Sequence, residues 1–126
     1  MCCHRRGEEE ATIAFWSGHA VSANRRLEPG GGRWHAGEDY KAFRDSLTWA
    51  LKGHAERFTG PVSVRLFVVL GAQMDSDAII KPALDALQLA GVVENDRQVR
   101  HICVHREDRG KGERDDRIAF FVTEAK

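Results

Sequence analysis

The sequence predicts an α+β (mixed α/β) domain in which two helices pack on a single sheet of about four strands. Three observations favour this fold: β-rich stretches near both ends, a long apolar run from Val62 to Leu70, and two amphipathic segments on either side of that run. The predicted element order is β-α-β-α-β-β, which places one sheet against a layer of helices. At 126 residues, the chain is long enough for one hydrophobic core and too short for two.

The first half of the chain begins with a polar segment, residues 1–10, which we expect to be a disordered tail in front of a single domain at residues 11–124. Thr12 to Trp16 is short and rich in β-formers, which predicts the first strand. Ser17 to Arg33 contains a proline and three consecutive glycines, and it is predicted to be loop. From about residue 37 to 57, apolar side chains recur every three or four positions, which predicts a helix of roughly five turns.

The second half is punctuated by proline and glycine. Val62 to Leu70 alternates at first and is then wholly apolar, which predicts the most deeply buried strand. Pro82 lacks an N–H and fits only the first turn of a helix, so the second helix should begin near residues 79–81 and stop at Gly91. The last two strands are predicted at residues 99–106 and 117–123, joined by a charged, hairpin-like loop.

Composition narrows the classes of protein to consider. The chain has three cysteines, too few for a disulfide framework, and no apolar segment typical of a signal peptide or a membrane span. We therefore expect a cytoplasmic protein without membrane contact. Its 19 basic and 19 acidic residues give a net charge of zero, which counts mildly against strong nonspecific DNA binding.

Acidic residues and one lysine gather where the central strand should give way to the second helix. Asp75 and Asp77 are two positions apart, and Asp77, Lys81 and Asp85 follow at intervals of four, which places them on one face of a helix. Asp96 follows after the turn that ends this helix. Clustered carboxylates are the ligands that Mg²⁺ or Mn²⁺ prefers, and a lysine beside them suits a phosphate.

Each of these residues also has an ordinary structural explanation. Asp77 can cap a helix, Lys81 and Asp85 can form a solvated i,i+4 pair, and Asp96 can be a turn residue. Asp85 can orient Lys81 or serve as an additional ligand. The joint spacing favours a functional site, because it also matches the pattern of a known family.

The acidic block resembles that of the RusA-type Holliday junction resolvases, a family of crossover junction endodeoxyribonucleases common in phages and prophages. The family pattern is D-x-D-N, a lysine, D-A-L on a helix, a glycine and D-D-x-Q. This sequence has Asp75-Ser76-Asp77-Ala78, Lys81, Asp85-Ala86-Leu87, Gly91 and Asn95-Asp96-Arg97-Gln98. The resemblance spans roughly residues 12 to 123, more loosely in the first half, where it includes Ser22, Asn24, Arg25 and Gly32 to His35.

The resemblance implies an enzyme whose catalytic residues are Asp75, Asp77, Lys81 and Asp96, with the three aspartates as metal ligands and Asp85 in support. It implies a homodimer that uses Mg²⁺, or Mn²⁺, as its cofactor. The partner would be branched DNA, a four-way junction cut by paired symmetric nicks during recombination and repair. Two symmetric nicks are most simply made by two identical sites related by a two-fold axis.

Basic residues outside the acidic block are candidates for DNA contact. The first group lies in the glycine-rich segment and comprises Asn24, Arg25, Arg26 and Arg33. A second, diluted by neighbouring acids, comprises Arg100, Arg106, Arg109, Lys111, Arg114 and Arg117.

Two other functions stay open from sequence. In the first, Ala78 and Asn95, which replace an asparagine and an aspartate of the family pattern, leave a non-cleaving or weakly active junction-binding protein. In the second, the site is that of a metal-dependent phosphohydrolase acting on a small nucleotide.

Overall fold

The computed structural model describes residues 12–21, 27–30, 33–36, 38–53, 57–72 and 74–125, so the predicted tail at residues 1–10 lies outside the described part. The strands are β1 (Thr12–Gly18), β2 (Leu27–Gly30), β3 (Arg33–Ala36), β4 (Val62–Leu70), β5 (Val99–Asp108) and β6 (Asp116–Glu124). The helices are α1 (Glu38–Lys52) and α2 (Ile80–Leu89), and 3₁₀ turns lie at Ser76–Ile79 and Asp96–Gln98. Within these ranges, no helix is long and apolar enough to cross a membrane.

The main sheet is mixed and has the strand order β1-β6-β4-β5. β4 and β5 run parallel, linked by a crossover through α2, whereas β6 runs antiparallel to both of its neighbours, β1 and β4. A parallel pair needs a long crossover, and the segment between Leu70 and Val99 supplies it with a helix. The predicted class, an α+β domain with a four-stranded sheet and two helices, is confirmed.

The expected hairpin between the last two strands is wrong. β4 lies between β5 and β6, and the connecting segment crosses its carboxyl end, where the Arg109 N–H donates to the Leu70 carbonyl at 2.9 Å. Two neighbouring strands stabilise the apolar strand β4 most, because every backbone N–H and C=O group of a buried strand needs a hydrogen-bond partner. That demand outweighs the local tendency of consecutive strands to pair.

A second difference lies in the segment that was expected to be loop. β2 and β3 form a separate antiparallel hairpin, in which Leu27 pairs with Ala36 and Gly30 pairs with Arg33. Only residues 31 and 32, both glycine, separate the two strands. A two-residue Gly-Gly connection is a typical hairpin signal. Here it was interpreted as loop, because three consecutive glycines follow a proline.

The core lies between the sheet and the two helices. Alternate β4 residues Val62, Val64, Leu66, Val68 and Leu70 are at most 1% exposed. They pack in one cluster with residues of both helices, namely Tyr40, Phe43, Leu47 and Leu51 from α1 and Ala83, Ala86 and Leu87 from α2. Both helices therefore cover the same face of the sheet.

Helix α2 follows the local sequence signals closely. It begins at Ile80, Pro82 lies in its first turn, and Gly91 adopts a φ of +82° after the last helical residues. The Val92 N–H donates to the Leu87 carbonyl at 3.0 Å, and the Gly91 N–H donates to the Gln88 carbonyl at 3.1 Å. This is a Schellman motif, which glycine favours because it adopts positive φ without steric cost.

Candidate functional site

Asp75 and Asp77 lie just beyond the carboxyl end of β4, in the segment that leads into α2. Asp75 is extended, with φ −75° and ψ 139°, and precedes the 3₁₀ turn that contains Asp77. Both side chains are exposed, and Asp75 makes no capping hydrogen bond. Neither carboxylate has a side-chain partner among the described residues. Ile79 occupies the N-cap position of α2, so Asp77 is not the cap of this helix.

Arg106 on β5 holds this segment in place. Its Nη2 donates to the Gly71 carbonyl at 2.9 Å, and its Nη1 donates to Ser76 Oγ at 3.1 Å and to the Met74 carbonyl. Its Nε pairs with Asp108 at 3.1 Å. The sequence indicated Arg106 only as a candidate DNA contact. Its structural role was not visible there, because Arg106 reaches this loop only through the parallel pairing of β4 with β5.

Replacing Arg106 with methionine should destabilise the protein, because carbonyls that lie partly buried would lose their donors. We expect a loss of about 2 kcal/mol in the free energy of unfolding, or roughly 8 °C in Tm. Thermal unfolding followed by circular dichroism measures this change. Arg114→Met is the matched control, since Arg114 is exposed and its side chain makes no hydrogen bond within the described segments. Equal Tm values for the two variants would contradict the assigned role.

Lys81 and Asp85 form the ion pair that their spacing predicts. Lys81 Nζ lies 3.0 Å from Asp85 Oδ1, and the hydroxyl of Tyr40 on α1 donates to Asp85 Oδ2 at 3.0 Å. The Lys81 side chain is 49% exposed, so the pair adds little stability. Asp85 contacts both Lys81 and Tyr40, and it thereby orients the lysine, which lies one helical turn after Asp77.

Asp96 lies at the other end of the sheet within the same chain. It opens the 3₁₀ turn that leads directly into β5, whereas Asp75 follows the end of β4. The two strands are parallel, with Val62 opposite Val99 and Leu70 opposite Asp108. The nine residues of β4 span eight steps of ~3.3 Å, so the two ends of the strand lie roughly 26 Å apart. Asp75 follows one of these ends, and Asp96 lies near the other.

One chain therefore does not bring the three predicted metal ligands together. Across the part of the chain that the structure describes, no group of three or more His, Cys, Asp or Glu side chains could hold a metal ion. Asp75 and Asp77 remain as two exposed carboxylates without a cationic partner among the described residues, which suits a hard divalent ion but leaves its coordination incomplete.

The two departures from the family pattern have structural explanations. Ala78 is 4% exposed, so this position faces the interior. Asn95 caps the turn that contains Asp96: its Oδ1 accepts from the Arg97 N–H at 2.9 Å. Asparagine and aspartate serve about equally well as such caps, so the replacement keeps the turn.

Gln98 anchors the same turn to the preceding loop, a role that sequence reasoning missed. Its Oε1 accepts from the Asn95 N–H at 3.1 Å, closing a capping box. Its Nε2 donates to the carbonyls of Phe58 at 2.8 Å and Gly60 at 2.9 Å. The capping-box spacing Asn95 to Gln98 was the available signal.

The predicted DNA contacts are only partly visible. Asn24, Arg25 and Arg26 lie outside the described residues, and the backbone of Arg33 lies in β3. The contact of these four residues with DNA remains a prediction. In the late cluster, three arginines pair with acids: Arg106 with Asp108 at 3.1 Å, Arg109 with Asp116 at 3.5 Å and Arg117 with Glu113 at 2.8 Å.

Comparison with known proteins adds one finding to this geometry. Residues 19–118 match the family described as Endodeoxyribonuclease RusA. No curated protein matches the chain. The matched range includes Asp75, Asp77, Lys81 and Asp96 and covers most of the 126 residues. The chain therefore belongs to the RusA endodeoxyribonuclease family.

Proposed function

We propose that this endodeoxyribonuclease resolves four-way DNA junctions with Mg²⁺ by paired symmetric nicks, acting as a homodimer in the cytoplasm. The observation that carries the proposal is the pair Asp75 and Asp77. Both are exposed beside Lys81, and both lack a side-chain partner among the described residues. Two exposed carboxylates at this point offer oxygen ligands to a divalent cation.

Each side chain has a distinct task in this proposal. Asp75 and Asp77 hold the ion, which when bound supplies Lewis-acid activation of the phosphate and of a water molecule. Lys81 stabilises the negative charge that develops on the phosphoryl oxygens. Asp85 keeps the lysine oriented through their ion pair, and the hydrogen bond from Tyr40 holds Asp85 in place.

The third carboxylate comes, in our proposal, from the second copy: Asp96 of the partner subunit joins Asp75 and Asp77. The opposite-edge geometry supports this arrangement. A two-fold axis parallel to the sheet and perpendicular to its strands reverses the strand direction between the two subunits. The carboxyl ends of one subunit's strands then lie beside the amino ends of the partner's strands. Two identical composite sites follow, which suits two symmetric cuts.

The face of the sheet opposite α1 and α2 supports the dimer. Phe15 and Phe67 are 61% and 40% exposed there, although large apolar side chains favour burial. Phe67 stacks on His105 with ring centroids 4.5 Å apart and meets Phe121 edge-on at 5.2 Å. The guanidinium of Arg65 lies 5.6 Å from the ring centroids of Phe67 and Phe121. A second copy of the same aromatic face would bury this surface.

The direct test offers the wild-type protein a synthetic four-way junction and a linear duplex of the same sequence. With Mg²⁺ or Mn²⁺, we expect paired nicks at symmetric positions in opposing strands of the junction and little cutting of the duplex. Denaturing gels of end-labelled strands measure both products.

Other outcomes select other functions. Junction binding without cutting in either metal would select the non-cleaving alternative. Equal cutting of duplex and junction would contradict structure selectivity, and no binding to the junction would overturn the proposed function.

A further inference from the structure

A shallow groove lies beside Asp96, at the edge of the sheet opposite Asp75. It has a volume of about 280 Å³ and runs between Gly60 and Pro61 on one side and Arg97 and Arg100 on the other. Its lining is polar on the arginine side and presents no aromatic ring to stack on a base. The two guanidinium groups suit a phosphate, and a lining without an aromatic ring does not suit a stacked base.

Arg97 and Arg100 are available for a ligand. Both are exposed, and neither forms an ion pair with a carboxylate of the described residues. Arg97 makes one long contact, from its Nε to Asn95 Oδ1 at 3.4 Å. By contrast, Arg106, Arg109 and Arg117 each pair with an acid, as described above.

A bulge in β5 positions Arg100 at the groove. Val62 pairs with Val99 and Ser63 pairs with His101, so Arg100 is the extra residue of a bulge in β5. A bulge re-aims the side chain that it carries, and β5 is an edge strand of the described sheet.

Gln98 makes the groove rigid. It ties the arginine side to the carbonyls of Phe58 and Gly60 on the other side. A wall that is already held in place loses little conformational entropy when a ligand binds.

We infer that this groove, called here the Arg97 groove, binds a backbone phosphate of the junction DNA beside Asp96. The inference rests on the proposed function and adds Arg97, which was not among the basic candidates from the sequence, to Arg100, which was. Arginine suits this role because its planar fork matches the oxygens of a phosphate. Two cations beside Asp96 also offset the repulsion between its carboxylate and the DNA.

The test measures how junction affinity depends on salt. Full-length wild type and the double variant Arg97→Gln/Arg100→Gln are titrated against a labelled four-way junction by fluorescence anisotropy, in EDTA and at several KCl concentrations. Each lost phosphate contact lowers the slope of log K against log[salt] by ~0.9, so we expect the double variant, which loses one phosphate site, to lower it by about 1.

Two control variants accompany it. Arg97→Lys/Arg100→Lys keeps the charge and should keep the slope. Lys41→Gln removes an exposed cation on α1 and should leave the slope close to that of wild type. Circular dichroism verifies that all variants fold alike.

The outcomes separate the inference from the proposed function. Wild type that binds the junction, with an unchanged slope in the glutamine variant, overturns the inference alone. An equal loss of slope in the lysine variant also overturns it, because the effect would not follow charge. Wild type that binds no junction overturns the proposed function and the inference with it.

Discussion

Asp77→Asn is expected to lower the rate of junction cleavage in Mg²⁺ by at least about 100-fold while leaving junction binding in EDTA close to wild type. The amide keeps the size of the side chain but removes the negative charge that attracts the ion. Asp77 is exposed and has no side-chain partner among the described residues, so the fold should not change. Single-turnover cleavage and anisotropy measure the two quantities.

Asp115→Asn is the matched control for this variant. Asp115 is also exposed and lies in the connection before β6. Its cleavage rate should stay within about twofold of wild type, since an exposed aspartate outside the site contributes only weak, screened electrostatics. Cleavage by Asp77→Asn at the wild-type rate would contradict the assignment of Asp77 to the metal site.

A heterodimer of one Asp77→Asn chain and one Asp96→Asn chain should regain activity that neither homodimer has. If each site combines Asp75 and Asp77 with Asp96 of the partner subunit, this heterodimer has one site with both defects and one intact site. We expect about half the wild-type nicking rate, and single nicks instead of paired cuts. Co-expression with two affinity tags isolates the heterodimer, and the end-labelled junction reports the nicks.

The same experiment separates the two arrangements of the site. If all three carboxylates belonged to one chain, each site of the heterodimer would carry one defect and the heterodimer would be as inactive as the homodimers. Sedimentation of the purified heterodimer serves as the control for assembly, and a monomer at assay concentration would contradict the dimer.

Local features of the sequence predicted the parts of this structure that depend on local physics. Pro82 places the start of α2 because it lacks an N–H, and Gly91 places its end because it accepts positive φ. The alternation in β4 predicted its buried position. The β2–β3 hairpin was missed because its glycines were interpreted as loop, although they also suit a tight turn.

The sequence by itself determined the secondary structure around the acidic block, the Lys81–Asp85 pair and the family. Only the tertiary structure decided that β4 separates β5 from β6, that Arg106 holds the loop before Asp75, and that Asp96 lies at the opposite edge from Asp77. These features depend on strand order and register, which arise from contacts between residues far apart in the chain. Spacing along the sequence places residues on a helix or strand, but the pairing of strands decides which residues can share a site.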